Sequence, residues 1–346
     1  MKTKKTSTIL LSIAAGIIFI VMIAAAEQYY RLMVSNITST DGESHLIYIP
    51  ENTNQDSLIS IIDKDFDFGS ITVFKFHCKL FKWENIKSGA YTIGGKEGDK
   101  AVILRLRNAE QTPVKVTINN VRTKGQLARS VASQLMLDSA DIASRLDSLP
   151  YISRYGFNME TAVCLFIPDT YEMFWNINPD RFFERMAHEY KHFWNESRLR
   201  KAANEGLTPV EVAVVASIVE GETNKEFEKP IIAALYLNRL RKGMKLQSDP
   251  TVLFALQDFS IRRVLNSHLK YDSPYNTYLY AGLPPGPIRI PRPSTMDAVL
   301  NHESNNYLYM CANADFSQTH KFAATYSEHM RNAREYQREL NKRGIK

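Results

Sequence analysis

A glutamate that follows an apolar helix is the residue in this chain best suited to acid–base chemistry. Residues 208–211 (TPVE) predict a helix start, because they combine a capping box with proline at the first helical position. Residues 212–219 carry no charge and are apolar on every side, a pattern typical of a buried helix. Glu220 comes next. A carboxyl group in that position can give and take a proton during bond cleavage.

The helical geometry predicts what surrounds this carboxyl group. At about 100° per residue, Glu220 shares its helix face with three small residues, Ala213, Ala216 and Ser217. We therefore expect open space beside Glu220, with partial desolvation that raises the pKa of Glu220. Glu222 lies roughly 160° further round and is predicted not to share that space. The alternative is that Glu220 is structural and pairs with an arginine such as Arg239.

The sequence also contains an HExxH pattern at residues 188–192. Two histidines four residues apart on a helix, here His188 and His192, can bind zinc with Glu189 as general base. However, Lys191 places a cation inside the pattern, the surrounding helix is polar, and no third-ligand motif follows. The metalloprotease interpretation is therefore disfavoured, and the sequence predicts neither a metal site nor a cofactor.

The bulk composition argues against several classes of protein. The 346 residues include 43 Lys and Arg against 37 Asp and Glu, a net charge of +6. This balance is too even for a typical nucleic-acid-binding protein, and no basic segment carries interleaved aromatic residues. Three widely spaced cysteines, Cys78, Cys164 and Cys311, predict neither a disulfide framework nor a CxxC metal motif.

An uncharged run near the N-terminus predicts a membrane anchor. As a helix, residues 9–26 would span about 27 Å, close to the thickness of a bilayer's hydrocarbon core. Three lysines precede the run, Lys2, Lys4 and Lys5. Residues 1–8 are therefore predicted to be cytoplasmic and everything after the anchor to lie outside. A cleaved signal peptide is the alternative, because residues 24–26 (AAA) resemble a cleavage site.

The order of apolar runs and turns predicts an α+β fold. A strand at 46–49 is followed by a turn and a helix that begins at Ser57. A similar order recurs further on, with an alternating strand at 114–118 and helical spacing from 126 to 137. We interpret the two as a weak internal repeat of small βα units.

The second half of the chain is predicted to be mainly helical. A long helix from residue 178 to about 203 begins with a proline and ends at Gly206, where we place a domain boundary. Residues 207–340 contain helical patterns, except for a proline-rich stretch at 274–293 that predicts an extended loop. The final segment, 327–342, predicts a surface helix.

Several sequence blocks in this second half agree with one known family. They are residues 216–223 (ASIVEGET), 236–240 (YLNRL), 243–252 (GMKLQSDPTV), 275–278 (YNTY), 282–288 (GLPPGPI) and 320–322 (HKF). In type and order they resemble the YceG-like family of endolytic murein transglycosylases. Residues 49–53 (IPENT) and 166–171 (FIPDTY) resemble that family more loosely, the former at the turn of its LysM-like subdomain. Gly221 stands where the family commonly has lysine.

Together, the patterns and the resemblance predict a division of the chain into six parts. They are a cytoplasmic tail (1–8), a transmembrane anchor (9–26), a stalk (27–45), a LysM-like α/β region (46–145), a linking region with a long helix (146–206), and a mainly helical catalytic domain with extended loops (207–346).

The resemblance implies an enzyme that cuts peptidoglycan glycan strands from the outer face of the inner membrane. The family's catalytic glutamate carries over to Glu220, which would cleave the MurNAc–GlcNAc β-1,4 bond without water and leave a 1,6-anhydro end. Candidate groove residues are Gln247, Asp249, Tyr275 and Asn276. Alternatively, residues 249–251 form only a helix cap and turn, and Asn276 only a turn. Peptidoglycan synthases are candidate partners, and strand termination is the implied role.

Two other functions stay open at this point. Glu220 and Asp249 together could form the carboxylate pair of a glycoside hydrolase. A non-catalytic peptidoglycan-binding module is the second alternative.

Overall fold

The computed structural model describes residues 2–33, 36–83 and 85–344 of the chain. It has a mixed α/β fold in which helices predominate, so the prediction of fold class is confirmed at this level. By its internal contacts the chain divides into two compact units, residues 1–115 with 172–176 and residues 116–171 with 177–346. The domain boundary that the sequence predicts at residue 206 therefore falls inside the second unit.

The first element, α1 (Lys2–Met33), contains an apolar segment that is long enough to cross a membrane. This segment, Ile13–Tyr30, overlaps the anchor predicted over residues 9–26, and its side chains are exposed. A signal sequence near an N-terminus can be equally long and apolar. Both the membrane anchor and the cleaved signal peptide are therefore compatible with this helix.

The first unit continues with small sheets and short helices. In chain order these are β1 (Asn36–Ser39), β2 (His45–Ile49), α2 (Gln55–Ile62), β3 (Phe66–Phe68), α3 (Ile71–Leu80), β4 (Gly89–Ile93), β5 (Lys96–Gly98) and α4 (Asp99–Arg107). Strands β3, β1 and β5 form one antiparallel sheet in that order, and β2 pairs antiparallel with β4. The core side chains come from both sheets and from the helices, among them Ile37, Ile49, Leu58, Phe74 and Tyr91.

Two sequence predictions in this unit can be compared with its elements. The strand predicted at 46–49 is β2, and the helix predicted from Ser57 begins at Gln55 because the Asn54 side chain accepts a hydrogen bond from the Ser57 N–H at 2.8 Å. Part of the predicted stalk (27–45) belongs to the folded unit, since β1 lies in the three-stranded sheet and Ile37 is buried.

The second unit is mainly helical. After β6 (Val114–Ile118), which pairs with β7 (Asp169–Met173), its helices are α5 (Lys124–Ala132), α6 (Ser139–Leu146), α7 (Leu149–Ile152), α8 (Pro179–Phe193), α9 (Glu196–Asn204), α10 (Pro209–Glu222), α11 (Lys229–Arg241), α12 (Asp249–Leu256), α13 (Pro293–Leu300) and α14 (Tyr326–Lys342). Strands β8 (Tyr309–Ala312) and β9 (His320–Ala323) form an antiparallel hairpin between α13 and α14. Short 3-10 turns lie at Ser153–Tyr155, Ala162–Leu165, Glu226–Glu228 and His268–Lys270.

Helix α10 is the central element of this unit. Its capping box forms as predicted, with Thr208 accepting from the Glu211 N–H and Glu211 accepting from the Thr208 N–H at 2.8 Å. Every residue from Val212 to Glu220 is buried, and the helix packs against α11, α12 and α13. The prediction of a buried helix is confirmed.

Other predictions for this unit need correction. The single helix predicted over 178–203 is two helices, because the Asn195 side chain accepts from the Arg198 N–H at 3.1 Å and starts α9. The hairpin of β8 and β9 is not predicted at all. The helix predicted over 126–137 is α5, which starts at its cap Thr123 and ends at Ala132. The extended loop at 274–293 and the surface helix near the C-terminus are confirmed.

Replacing Thr208 with alanine should destabilise the second unit, because α10 loses the side-chain oxygen that caps its start. We expect the free energy of unfolding to fall by about 1 kcal/mol in chemical denaturation followed by circular dichroism. Thr208→Ser keeps the hydroxyl and is the matched control, expected to stay close to wild type. An alanine variant with wild-type stability would contradict the importance of this cap.

Candidate active site

Glu220 lies in the last turn of α10, where its side chain is only 3% exposed. Its Oε2 accepts hydrogen bonds from the backbone N–H of Arg292 at 2.8 Å and from the hydroxyl of Thr295 at 2.7 Å. The guanidinium of Arg289 lies 3.4 Å from Oε1, and that of Arg292 lies 3.4 Å from Oε2. The open space predicted beside Glu220 is filled by these groups, so that prediction is wrong.

The small residues on the same helix face explain the difference. Ala213, Ala216 and Ser217 are all buried, and α10 packs closely against α13 over this face. Ser217 also binds the proline-rich loop that precedes α13, because its Oγ accepts a hydrogen bond from the Ile288 N–H at 3.1 Å. Small side chains thus allow neighbouring backbone to approach the helix and do not leave a vacancy.

The structural alternative for Glu220 named Arg239 as its partner, and the arginines beside Glu220 are different ones. Arg239 does not pair with Glu220, because its guanidinium donates to the carbonyl oxygens of Leu308 at 2.6 Å and Leu246 at 2.8 Å. The arginines beside Glu220 come instead from the end of the proline-rich loop. Thr295 extends the network, since its Oγ1 also accepts from the buried Lys229 ammonium at 2.9 Å.

Glu222, the last residue of α10, has a different environment. Its side chain is half-buried, and Oε1 accepts from the Tyr236 hydroxyl at 2.7 Å and from Ser248 Oγ at 2.5 Å. Burial is the main cause that raises the pKa of Glu222, and the hydrogen bonds from Ser248 and Tyr236 lower it. The negative charge of Asp249 raises this pKa by less, and the nearby His320 lowers it. This carboxyl group therefore keeps its proton to a higher pH than an ordinary glutamate.

Glu222 borders a polar cavity of about 270 Å³. The other polar side chains that line it are Tyr236, Arg239, Gln247, Asp249, Tyr278 and His320. They come from α11, from the start of α12, from the proline-rich loop and from β9. A cavity with a carboxyl group of raised pKa and several hydrogen-bonding side chains is suited to acid catalysis on a polar substrate.

Two of the four predicted groove residues lie at this cavity. Gln247 adopts a positive φ of 54°, and its side-chain oxygen accepts from Arg239 at 3.2 Å. Asp249 starts α12, and its Oδ1 accepts from the Tyr278 hydroxyl at 2.6 Å. Asp249 is therefore both the first residue of a helix, as the alternative interpretation has it, and a lining residue of the cavity.

The other two predicted groove residues lie elsewhere. Tyr275 lines a separate cavity of about 380 Å³, where burial raises the pKa of its phenol to about 12. Asn276 is fully buried, and its side-chain amide donates to the carbonyl oxygens of Leu269 at 3.0 Å and Tyr271 at 2.8 Å. These contacts hold the loop and are those of a turn residue.

Two residues of the HExxH pattern, His188 and Glu189, have the environments of helix-surface residues. The His188 side chain is 75% exposed, and Glu189 accepts from Arg185 at 2.7 Å within the same helix. Over residues 2–33, 36–83 and 85–344, no group of three or more His, Cys, Asp and Glu side chains is arranged to hold a metal ion.

Several residues at the Glu222 cavity were not singled out from the sequence. Tyr236, Ser248 and His320 each lie in a block that resembles the YceG-like family, at 236–240, 243–252 and 320–322. The blocks were therefore a usable signal. What the sequence lacks is the spatial information that Tyr236 and Ser248 contact Glu222 and not Glu220, and that His320 lines the same cavity.

Comparison with known proteins shows which family this chain belongs to. A family model described as the YceG-like family matches residues 47–335, most of the chain. The chain belongs to the YceG-like family. A crystal structure of a YceG-like protein from Listeria monocytogenes has the same fold with a TM-score of 0.57 at 26% identity, covering 84% of this chain and 98% of that one.

Curated relatives of this YceG-like chain carry one name. This chain is 24% identical over 333 residues to a Bacillus subtilis (strain 168) protein named endolytic murein transglycosylase, with 91% of each chain covered. A Streptococcus pneumoniae (serotype 2, strain D39) protein of the same name is 24% identical over 357 residues. That alignment covers 92% of this chain but only 64% of the longer pneumococcal protein.

In this YceG-like chain, replacing Glu220 with glutamine should lower stability, because Arg289 and Arg292 lose their buried anionic partner. We expect the free energy of unfolding to fall by about 3 kcal/mol, as when one partner of a buried ion pair is removed. Glu184→Gln is the matched control, since its pair with Arg181 is exposed and should contribute less than about 1 kcal/mol. Equal stabilities of the two variants in urea denaturation would contradict a structural role for Glu220.

Proposed function

We propose that this chain is an endolytic peptidoglycan lytic transglycosylase whose acid catalyst is Glu222. It would cleave the MurNAc–GlcNAc β-1,4 bond within a glycan strand and leave a 1,6-anhydro-MurNAc end. The family and the names of the relatives support the reaction class. The observation that supports Glu222 is its position at a polar cavity with a raised pKa, whereas Glu220 is enclosed by Thr295 and two arginines.

The contacts of Glu222 favour the role of proton donor. Tyr236 and Ser248 both donate to Oε1, so a proton on this carboxyl group is carried on Oε2. Burial raises the pKa of the Tyr236 hydroxyl as well, which keeps that group a donor. Glu222 can then transfer its proton to the glycosidic oxygen as the bond to the muramyl C1 breaks.

The second half of the reaction needs no nucleophile from the protein. The muramyl C6 hydroxyl attacks C1 of the same sugar and loses its proton, which closes the 1,6-anhydro ring. After the first transfer the Glu222 carboxylate is itself able to take up a proton. This scheme differs from the two-carboxylate arrangement of most glycosidases, in which a second carboxylate acts as nucleophile or as the base for water.

A two-carboxylate hydrolase is the second candidate, because Asp249 lines the same cavity as Glu222. In a hydrolase, Asp249 would activate a water molecule and the product would carry an ordinary reducing end. The mass of the products distinguishes the two reactions, since hydrolysis adds one water molecule and transglycosylation adds none.

The N-terminal part of the chain supports a location at the membrane. Helix α1 would anchor the protein in the cytoplasmic membrane, with the lysines at its start inside and the catalytic unit on the outer face. Protease accessibility of the intact chain in spheroplasts tests this orientation.

In this setting the enzyme would terminate growing strands beside peptidoglycan synthases, and the LysM-like region predicted at 46–145 would contribute to glycan binding. Cosedimentation of the full-length inactive chain with insoluble peptidoglycan measures that binding.

The assignment of the acid catalyst is tested by two glutamine variants on purified, uncrosslinked glycan strands. Glu222→Gln should lower the cleavage rate by about 10²–10⁴-fold, the usual contribution of a general acid. Glu220→Gln should remain active at temperatures where it stays folded, because its side chain is enclosed and does not line the cavity.

The reverse pattern, an inactive Glu220→Gln variant that is fully folded and an active Glu222→Gln variant, would return the catalytic role to Glu220. Wild-type protein that binds the strands without cutting them would identify a binding module instead.

The charge of Asp249 should raise the upper pH limit of activity. A general acid works only while protonated, so activity falls as pH rises through the raised pKa of Glu222. Asp249→Asn removes a charge that raises this pKa, and we therefore expect the alkaline limb of the kcat/KM profile to move to lower pH.

Asp272→Asn is the matched control, because Asp272 accepts from the Tyr280 hydroxyl at the same 2.6 Å but lies outside the cavity. An alkaline limb that stays in place in Asp249→Asn, or that moves equally in the control, would contradict this account.

A further inference from the structure

A buried carboxylate that contacts His320, one of the residues lining the cavity, has three hydrogen-bond donors that acid catalysis by Glu222 does not explain. Glu228 is 1% exposed at the end of the 3-10 turn that precedes α11. Its Oε1 accepts from the His320 backbone N–H at 2.6 Å. Its Oε2 accepts from the Thr223 hydroxyl at 2.9 Å and lies 3.1 Å from His320 Nδ1. Two of the three donors therefore belong to one histidine.

The carboxylate determines which nitrogen of His320 carries the proton. A carboxylate can only accept hydrogen bonds, so the ring nitrogen that faces Glu228 must be the donor. In a neutral His320 ring the hydrogen therefore lies on Nδ1 and points to Glu228. Nε2, on the opposite edge of the ring, then presents a lone pair. Because His320 lines the cavity of Glu222, its ring lies beside the space that a bound molecule would occupy.

The same carboxylate connects this histidine to the end of α10. Thr223 follows Glu222 directly, and its hydroxyl donates to Glu228. Glu228 in turn holds both the backbone and the ring of His320 at the start of β9. The residue that follows the proposed acid and the His320 ring thus share one buried carboxylate, and Glu222 and His320 line the same cavity.

We propose that His320 is a second catalytic residue, which accepts the proton of the muramyl C6 hydroxyl at Nε2. This inference rests on the proposed function. The O6–H bond breaks as O6 forms its bond to C1, the C1–O4 bond breaks, and O4 takes the proton of Glu222. The imidazolium then returns its proton to Glu222 through solvent, so both groups regain their starting states. Glu228 and Thr223 are positioning residues that fix the tautomer and the orientation of the ring.

Two groups in one cavity solve a timing problem for a single carboxyl group. A lone Glu222 must lose its proton to O4 before it can accept one from O6, so attack by O6 cannot be assisted while the bond to O4 is breaking. With His320 as acceptor, both proton transfers can proceed in the same step. This is the division between acid and base that general acid–base catalysis favours.

The sharpest test is His320→Asn, because the asparagine amide can keep the hydrogen bond to Glu228 while Nε2 is lost. We expect kcat on uncrosslinked glycan strands to fall by about 100-fold or more, with KM close to that of wild type. His188→Asn is the matched control, since His188 is exposed on α8 and should leave kcat unchanged.

His320→Ala provides a readout that a structural role would not give. Added imidazole should restore part of its activity by supplying the missing base, and it should not restore Glu222→Gln. Glu228→Gln should also lower kcat, because one amide oxygen cannot accept from three donors. Thermal unfolding of each variant confirms that the comparison is made on folded protein.

The possible outcomes separate this inference from the proposed function. A His320→Asn variant with kcat within about threefold of wild type would overturn the role of His320, as would a folded His320→Ala variant that imidazole fails to restore. Wild-type products with ordinary reducing ends would overturn the proposed function instead. Anhydro products from wild type together with full activity in both His320 variants would leave the proposed function standing and reject only this inference.

Discussion

The carboxylate of Glu220 has to be neutralised where α10 ends inside the protein, and this requirement organises the surrounding chain. Its partners are the backbone N–H and guanidinium of Arg292, the hydroxyl of Thr295 and the guanidinium of Arg289. All of them belong to the end of the proline-rich loop and the first turn of α13. One buried charge therefore fixes the position of a loop that has no regular backbone hydrogen bonding of its own, and it places the N-terminus of α13 against an anion, which the helix dipole favours.

Glu222 benefits from the rigidity that Glu220 supplies. The two carboxyl groups are two residues apart on one helix, so they point in nearly opposite directions. The first is surrounded by cations and donors, whereas the second is half-buried beside another carboxylate, Asp249. Burial and the charge of Asp249 raise the pKa of Glu222, and hydrogen bonds from Tyr236 and Ser248 limit the rise. One helix end thus carries an ion-paired carboxylate and the proposed proton donor, and the neighbours of each determine its environment.

Local features of the sequence were sufficient to predict the frame of this site. The capping box at 208–211, the apolar run that follows and the proline-rich loop each depend on residues close together in the chain, and each appears where predicted. The helix break at Asn195 could have been predicted on the same grounds, since asparagine is a strong N-cap residue. The hairpin of β8 and β9 was also open to prediction, because residues 313–319 (NADFSQT) between the strands include the turn formers Asn313, Asp315 and Ser317.

The orientation of α10 could not be predicted from the sequence. A helical projection identifies Ala213, Ala216 and Ser217 as small, but it does not say whether such a face is filled by neighbouring backbone or left open. The answer depends on residues 70 or so positions away, such as Ile288, whose N–H donates to Ser217. The partners of Glu222 likewise come from distant elements, with Tyr236 on α11 and Ser248 before α12. The resemblance supplied the blocks that contain these residues but not their contacts.

Gly221, which separates the two glutamates, shows how closely this geometry is constrained. A Cβ atom at this position would lie 2.8 Å from Cβ and 3.0 Å from Cγ of Pro250, atoms of a rigid ring at the start of α12. Any larger side chain would have to push α12 away from the end of α10. Ser248 immediately precedes α12, and its hydroxyl lies 2.5 Å from Glu222. Close packing at Gly221 is therefore a condition for the hydrogen bond that orients the proposed acid. Gly221, which stands in place of the family's usual lysine, therefore affects the position of Glu222, because it allows α10 and α12 to make close contact.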